Sequence, residues 1–357
     1  MKIIMTNNVY TVGPGHSYGG ERIIYYLVDE LAKIGHEVHF YSREGTIPPK
    51  GVEYYPVPEM SNDHDVYYEE IEKTFSGDIA DIVQVNYFGD GYNHSIEKFA
   101  KARCELVWNR WAHCVPFFGT ITPKNIISYS TLLQQDLVNS GVPNTMIHYG
   151  IPKDFYKFSP TNKGYAVWIG KIEGGKRPDL AIKLAKAAGL KIVIMGPPYN
   201  TGCFWNQVQP YIDNETVFWV RGVDDETKQK IMGNAKVFIS SNDNTWREHA
   251  GIVNIEALAC GTPIIAFNRI NQECAIWTDK MIEDGVHGFF LNYNDSNNVE
   301  EILDKGVPLL QKINTIDRKE CRNQFEKKFT SSLMARRYEY FYKEILKGSV
   351  DSIEIPF

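Results

Sequence analysis

The sequence predicts an α/β protein of two parallel-sheet domains, and three observations carry that expectation. Short apolar, β-branched or aromatic runs alternate with segments of helical period along the chain. The alternation restarts after Pro152. At 357 residues the chain is too long for one average domain and comfortable for two of roughly 150.

In the first half, residues 3–5 open the first strand. A glycine-rich loop follows, Gly13-Pro14-Gly15-His16-Ser17-Tyr18-Gly19-Gly20. Next comes a helix with Ile23, Ile24, Leu27, Val28, Leu31 and Ile34 on one face, closed by Gly35. Further strands are expected at 37–41, 53–57, 79–86, 105–109, 126–129 and 146–149. The polar, Pro- and Gly-bearing stretch 159–164 reads as a linker that few contacts cross. Beyond it, 165–169 is a new first strand and 179–188 a helix ended by Gly189. Strands follow at 191–195, 216–220, 236–240 and 263–267. The last strong helix, near 331–346, carries Leu333, Tyr338, Phe341, Tyr342 and Ile345. The expected division is 1–152 with 333–357, and 153–332. Both halves read as Rossmann-like units, which bind ligands at the C-terminal ends of their strands, so the site is expected where the two face each other.

Composition narrows the partners. Apolar residues at 43% and charged residues at 23% describe an ordinary globular protein with ample core. A net charge of −6 gives no global positive field to draw nucleic acid or an anionic bilayer, although a local basic cleft stays open. The six cysteines (104, 114, 203, 260, 274 and 321) form no CxxC pair and no zinc spacing, and read as reduced thiols. The start, Met1-Lys2-Ile3-Ile4-Met5-Thr6, turns polar too quickly for a signal peptide, and no run approaches the roughly 20 apolar residues of a membrane span. A cytoplasmic location is expected.

The most informative segment is Glu248-His249-Ala250-Gly251-Ile252-Val253-Asn254-Ile255-Glu256-Ala257-Leu258-Ala259-Cys260-Gly261-Thr262-Pro263. Gly251, Ile252 and Val253 stand where a helix begins, so their backbone N–H groups and the helix dipole can hold a diphosphate. Lys171 and Lys176 follow a strand, where two cations can neutralise charge on a departing nucleotide diphosphate. Taken alone, Glu256 would suit a helix cap and Glu248 a solvated surface. Gly13-x-Gly15 with Gly19 loosely imitates a dinucleotide fingerprint, but only Glu44 stands where its ribose-binding acid is expected. His36 and His39 do not form a metal-binding helix pair, and Asp63-His64-Asp65 lies in a polar loop far from the phosphate motifs.

In these motifs the chain resembles the retaining GT-B glycosyltransferases of the "group 1" family, relatives of glycogen synthase and sucrose synthase. Their signature is two glutamates with seven residues between them, as Glu248 and Glu256 have, and the continuation seen here from Glu256 to Pro263. The resemblance extends to Gly19-Gly20, Gly35-His36-Glu37-Val38, His148-Tyr149-Gly150-Ile151, Gly170-Lys171 with Lys176, the stretch 282–289 and the final helix. It implies that Glu256 accepts hydrogen bonds from ribose hydroxyls. Glu248 would then bind the donor sugar and favour positive character at its anomeric carbon. Gly19 and Gly20 would lie at the diphosphate and acceptor side, where the lack of side chains permits close approach. Arg221 and Gly222 are counted with the donor-binding residues. His113, or else Arg110, stands near the place of the family's active-site histidine.

Two departures bear on the donor. Lys171 stands where the family usually has Arg, and Ala250 where an aromatic is common. Tyr87, Phe88, Tyr92, Trp108, Trp111, Phe117 and Phe118, with Arg103 and Arg110, form an aromatic cluster that is either core or a stacking platform for a sugar, an aromatic aglycone or an extruded base.

The resemblance implies transfer of a hexose or pentose from a UDP- or GDP-sugar to a hydroxyl acceptor with retention. No metal or resident cofactor is expected, and no strong candidate for a covalent nucleophile emerges. Rival expectations are a glycosyltransferase acting on hydroxylated DNA bases, a nucleotide-sugar epimerase of the same fold, and a non-catalytic sugar-nucleotide-binding protein.

Overall fold

In this computed structural model every strand pairing among the described residues is parallel. The structure describes residues 1–7, 11–13, 19–57, 80–87, 105–110, 125–243, 251–270, 276, 279–348 and 354–356, the side chains of 87 and 105–110 excepted. The chain divides into two compact units, Met1–Pro152 with Thr330–Phe357, and Lys153–Phe329.

The first unit is built on strands β1 (Lys2–Asn7), β2 (Glu37–Arg43), β3 (Glu53–Val57), β4 (Ile82–Tyr87), β5 (Glu105–Arg110), β6 (Ile126–Ser128) and β7 (Asn144–Met146). Their order in the sheet is β3-β2-β1-β4-β5-β6-β7. Central parallel strands are covered on both faces, so β1 carries consecutive apolar residues, Ile3, Ile4 and Met5, all fully buried. Helix α1 (Gly19–Lys33) buries Ile23, Ile24, Leu27, Val28 and Leu31. Ile34, which the sequence placed on that face, lies beyond the last turn and is 40% exposed; the chain reverses at Gly35, whose φ is +93°. Helix α2 (Thr131–Asn139) is capped by Ser130, whose Oγ accepts from Leu133 N.

The expected strand at 146–149 is displaced towards the N-terminus. The pairing with β6 runs over Asn144–Met146. Asn144 sits inside the sheet because its side chain is satisfied there: Oδ1 accepts from Ser128 Oγ at 2.6 Å and Nδ2 donates to Val142 O at 3.2 Å. A pattern that places strands on apolar residues passes over such a position.

The second unit contains β8 (Ala166–Ile169), β9 (Ile192–Met195), β10 (Val217–Val220), β11 (Val237–Ser240), β12 (Ile264–Arg269) and β13 (Gly288–Tyr293), in the order β10-β9-β8-β11-β12-β13. Its helices are α3 (Pro178–Ala187), α4 (Thr201–Gln207), α5 (Asp225–Asn234), α6 (Ile252–Cys260), α7 (Val299–Lys312) and α8 (Arg318–Lys328). Side-chain caps start α4, α5, α7 and α8 at Asn200, Asp224, Asn298 and Asp317. Strand β13 is an addition to the expected set.

The stretch 159–164 is not a free linker. Ser159 N donates to Cys260 O and Lys163 N to Asn234 O. Arg318, the first residue of α8, donates through Nε to Ser159 O (2.7 Å), through Nη1 to Ala235 O (2.9 Å) and through Nη2 to Gly233 O (2.7 Å) and Thr262 Oγ1 (3.1 Å). The guanidinium thus gathers two buried carbonyls and the part-buried one of Ser159, which sews the stretch onto the second unit.

The chain re-enters the first unit at Thr330, ahead of the expected position 333, because Thr330 already bridges to Ile151 and Ser331 N donates to Ile151 O. Gly150 makes this junction possible, since a Cβ there would stand 2.3 Å from Thr330 O. Helix α9 (Ser331–Leu346), capped by Thr330, packs on α1 and buries Met334, Ala335, Tyr338, Phe341, Tyr342 and Ile345. Tyr342 donates to Gln84 Oε1 on β4, and Ser331 Oγ to Glu30 Oε1 on α1. Among the described residues no helix is long and apolar enough to cross a membrane.

Arg318→Met should strip the donors from Ser159, Ala235 and Gly233, at roughly 1–3 kcal/mol for each buried carbonyl left unpaired. We expect a loss of about 3 kcal/mol or more in the second unit, measured by urea unfolding; an unchanged midpoint would rule out the clasp as a main support.

Candidate functional site

Strand order locates the site within the second unit. Connections leave β8 towards one edge of the sheet (β9, β10) and leave β11 towards the other (β12, β13), so the β8/β11 boundary is the topological switch point. A crevice opens outside the C-terminal ends of the strands at such a point.

After β8 comes the segment with both predicted lysines. Gly170 N donates to Met195 O and Ile172 N to Pro197 O, so residues 170–172 continue alongside the chain leaving β9. Lys171 Nζ lies 4.6 Å from the centre of the Tyr199 ring, a cation–π contact that steadies a long flexible side chain. Lys176 ends a tight turn over Gly174–Lys176. A Cβ added at Gly170 would meet Lys176 Cδ at 3.5 Å, so the lysine stem runs back towards the strand end.

The loop after β11 grips this turn. Ser241 Oγ donates to the carbonyls of Lys176 (2.9 Å) and Arg177 (2.8 Å) and accepts from Trp168 Nε1 (3.0 Å), while Asp243 N donates to Gly175 O. Arg177, in the left-handed region at φ +43°, forks onto Asp179 at 2.8 and 3.0 Å and donates to Ser296 O. Burial pushes the Asp179 carboxyl up, but Arg177 and Lys183 outweigh it and hold it below the usual range.

Helix α6 then starts without a side-chain cap. Gly251 occupies the N-cap position at φ +49°, a conformation that glycine adopts without strain, and Ile252 and Val253 are the first helical residues. By helix geometry their N–H groups have no intrahelical acceptor. Glu256 is in the second turn and 2% exposed, so it is neither the helix cap nor part of a solvated surface. Its Oε1 accepts from Tyr156 Oη and from Lys228 Nζ at 2.7 Å; its Oε2 is buried with no hydrogen-bond partner among the described residues. Asn254 in the first turn is likewise buried with neither side-chain polar atom bonded. Buried polar atoms are nearly always paired, so these open positions on one helix mark a place where a polar ligand can complete the set.

The structure therefore brings Lys171, Lys176, Gly251, Ile252, Val253 and Glu256 to neighbouring strand ends of one sheet. Arg221 and Gly222 are exposed at the end of β10, at the same edge of the sheet but two strand spacings, roughly 10 Å, from β8. Gly19 and Gly20 open α1 in the first unit. Glu248, His113, Ala250, Asp63-His64-Asp65 and the side chain of Arg110 lie outside the described residues, as does most of the aromatic cluster. Among the described residues no group of His, Cys, Asp and Glu could hold a metal ion.

Sequence reasoning missed Tyr156, Lys228 and Ser241. Lys228 stands in the run Asp224-Asp225-Glu226-Thr227-Lys228-Gln229-Lys230, which reads as a solvated helix face, and only the packing of α5 against α6 turns it inward.

Residues 152–312 match the family of glycosyl transferases group 1. The matched stretch covers most of the second unit, Lys153–Phe329. D-inositol 3-phosphate glycosyltransferase of Mycolicibacterium smegmatis is 23% identical over 158 residues, 41% of this chain and 34% of that protein. The chain thus spans about a third of that relative's length. AviGT4, a glycosyltransferase involved in avilamycin A biosynthesis, superposes with a TM-score of 0.71 at 20% identity, over 98% of this chain and 99% of that one. The pneumococcal O-GlcNAc transferase GtfA, solved with UDP and GlcNAc, gives a TM-score of 0.68 at 11% identity, over 97% of this chain and 99% of that one. These likenesses establish the fold, two Rossmann-like domains of the GT-B type.

Cys260, one turn beyond Glu256, is buried, and burial together with the neighbouring carboxylate pushes its thiol up to about 12; burial does the same for Cys321. Of Cys203, Cys260 and Cys321, only the half-buried Cys203 should react with a thiol reagent at pH 8 before unfolding. Peptide mapping after labelling checks this, and rapid modification of Cys260 in the folded protein would contradict the packing around Glu256.

Proposed function

We propose that the protein transfers a hexose or pentose from a UDP- or GDP-sugar to a hydroxyl acceptor, with retention and without a metal. The observation that carries this reading is the half-satisfied, buried carboxylate of Glu256. It sits on a helix whose uncapped start faces the same strand ends as Lys171 and Lys176. An anionic diphosphate suits the helix start and the two ammonium groups; hydroxyls suit the open oxygen of Glu256.

The chemistry follows from charge. Breaking the bond between the anomeric carbon and the diphosphate oxygen places negative charge on the leaving group, which Lys171, Lys176 and the amides of Ile252 and Val253 stabilise. The acceptor oxygen bonds to the anomeric carbon, and its proton passes to the departing diphosphate, so no protein nucleophile is required. Lysine at position 171 offers a point charge where a guanidinium would offer a fork, so it supplies charge without fixing phosphate orientation. Tyr199 steadies the ammonium in its place. Glu248 is assigned to the donor sugar and His113 to the reaction centre on the strength of the family resemblance, Arg110 being the other candidate for the latter place. Gly19 and Gly20 are assigned to the diphosphate and acceptor side, and Arg221 with Gly222 to the donor nucleotide, on the same ground.

A thermal-shift screen against UDP-, GDP-, ADP- and TDP-sugars identifies the donor for the assays. Lys176→Ala and Glu248→Ala should each lower turnover at least about 100-fold, the scale of one transition-state electrostatic group, as measured by release of nucleoside diphosphate. Wild-type rates in both would reject the site.

Saturating EDTA should leave the rate within about twofold, because cations fixed in the protein take the role a divalent metal would play. Complete loss, restored by added magnesium or manganese, would show that a metal is required.

A further inference from the structure

The contacts of Glu256 go beyond the presence of an acidic residue at that position. A glutamate carboxylate turns about its terminal torsion in a broad, roughly two-fold well, so a single partner leaves its open oxygen poorly aimed. Here two donors from different parts of the unit converge on Oε1: Lys228 from α5 and Tyr156 from the segment preceding β8. Lys228 Nζ also lies 5.5 Å from the Tyr156 ring centre and 3.6 Å from Asp225 Oδ1. Tyr156 is itself anchored, since Arg322 Nη1 donates to its carbonyl at 2.6 Å. Lys230, two residues along the same helix, shows what an ordinary pair looks like: it meets Glu226 one turn away, and both side chains are about two-thirds exposed. The Lys228 pair instead joins two helices, with the Glu256 side chain 3% exposed.

A purely structural buried ion pair would be expected to satisfy both carboxylate oxygens, because an unpaired one costs its full desolvation. This one satisfies Oε1 and leaves Oε2 open. An ionised carboxylate only accepts, so whatever completes the site must donate.

We infer that Lys228 and Tyr156 are positioning residues that hold Glu256 with Oε2 aimed at a ribose hydroxyl, and that this arrangement makes the site select ribonucleotides over their deoxy counterparts. The inference rests on the reading of Glu256 as a donor-binding residue. Selectivity arises because a deoxyribose leaves Oε2 buried and unpaired, the situation in which a site built for a hydroxyl rejects the analogue without it.

Calorimetric titration with UDP, 2′-deoxy-UDP and 3′-deoxy-UDP, and the same GDP series, tests both layers. Wild type should bind one deoxy form at least about tenfold more weakly than the parent nucleotide. Lys228→Met and Tyr156→Phe should bring that ratio below about threefold while UDP or GDP still binds more tightly than the monophosphate, and Lys228→Arg should restore most of it. Melting curves establish that each variant is folded, and the Arg substitution keeps the test decisive if Met at 228 unfolds the unit. Discrimination in wild type that survives both Lys228→Met and Tyr156→Phe would overturn the positioning role and leave the Glu256 reading intact. Equal wild-type binding of ribo and deoxy forms, or no binding of either UDP or GDP, would overturn the Glu256 reading and this inference with it.

Discussion

Two arginines on helix α8 tie the C-terminal ends of α5 and α6 to the segment 153–159. Arg318 donates to the carbonyls of Gly233 and Ala235, at the end of α5, and to Ser159 O. Arg322, one turn on, donates to Ala259 O at the end of α6 and to the carbonyls of Tyr156 and Lys153. Positive charge therefore meets the C-terminal ends of α5 and α6, where unpaired carbonyls and the negative end of the helix dipole gather. The same bonds fasten the segment 153–159 across the two helix ends. Arg318 has no acidic partner in this set of bonds, and burial lowers its guanidinium below the usual value. Its stabilisation comes from carbonyl dipoles, a geometry that suits the planar five-donor fork of arginine and that lysine could not reproduce.

The clasp has a consequence for chemistry. Once the C-terminal ends of α5 and α6 and the backbone of Tyr156 are fixed, the Tyr156 hydroxyl and the Lys228 ammonium reach Glu256 together. The Glu256 oxygen at the back of α6 is thus satisfied by protein, while at its front the amides of Ile252 and Val253 have no intrahelical acceptor and the second Glu256 oxygen has no hydrogen-bond partner among the described residues. On the other side of the switch point, Ser241, itself held by the Trp168 indole N–H, binds the carbonyls of the Lys176 turn. In both places supporting side chains fix the framework, and the lysines, the helix-start amides and the carboxylate are the groups suited to a charged ligand. That division of labour is what a preorganised electrostatic site requires, since dipoles already aligned need no reorganisation as charge develops.

Much of this was legible in the chain. Parallel central strands are covered on both faces, so β1, β2, β8, β9 and β11 appear as short apolar runs punctuated by Gly, Pro and polar turns. The helix α9 could be placed because its apolar spacing is undisturbed; its cap, Thr330, is a finding of the structure. The positions of Lys171 and Lys176 after a strand and of Gly251 at a helix start also followed from local pattern. Other elements lacked such a signal. Asn144 lies in a strand because a serine on the neighbouring strand bonds its side chain, and 159–164 looks like a linker because its partner, Arg318, lies far along the sequence. Lys228 looks like surface because its neighbours Asp225, Glu226 and Lys230 are polar.

By itself, the sequence determined the alternation of strand and helix, hence two parallel sheets, and the chemical types available at the strand ends: ammonium groups, glycine-led amides and carboxylates. Those depend on residues near one another in the chain, through hydrophobic period, caps and backbone freedom. Only the tertiary structure decided which oxygen of Glu256 is occupied, which lysine turns inward, and which carbonyls Arg318 and Arg322 collect. Each of these is a contact between segments far apart in sequence, made when helices pack at their ends, and such a contact leaves no local period in the chain.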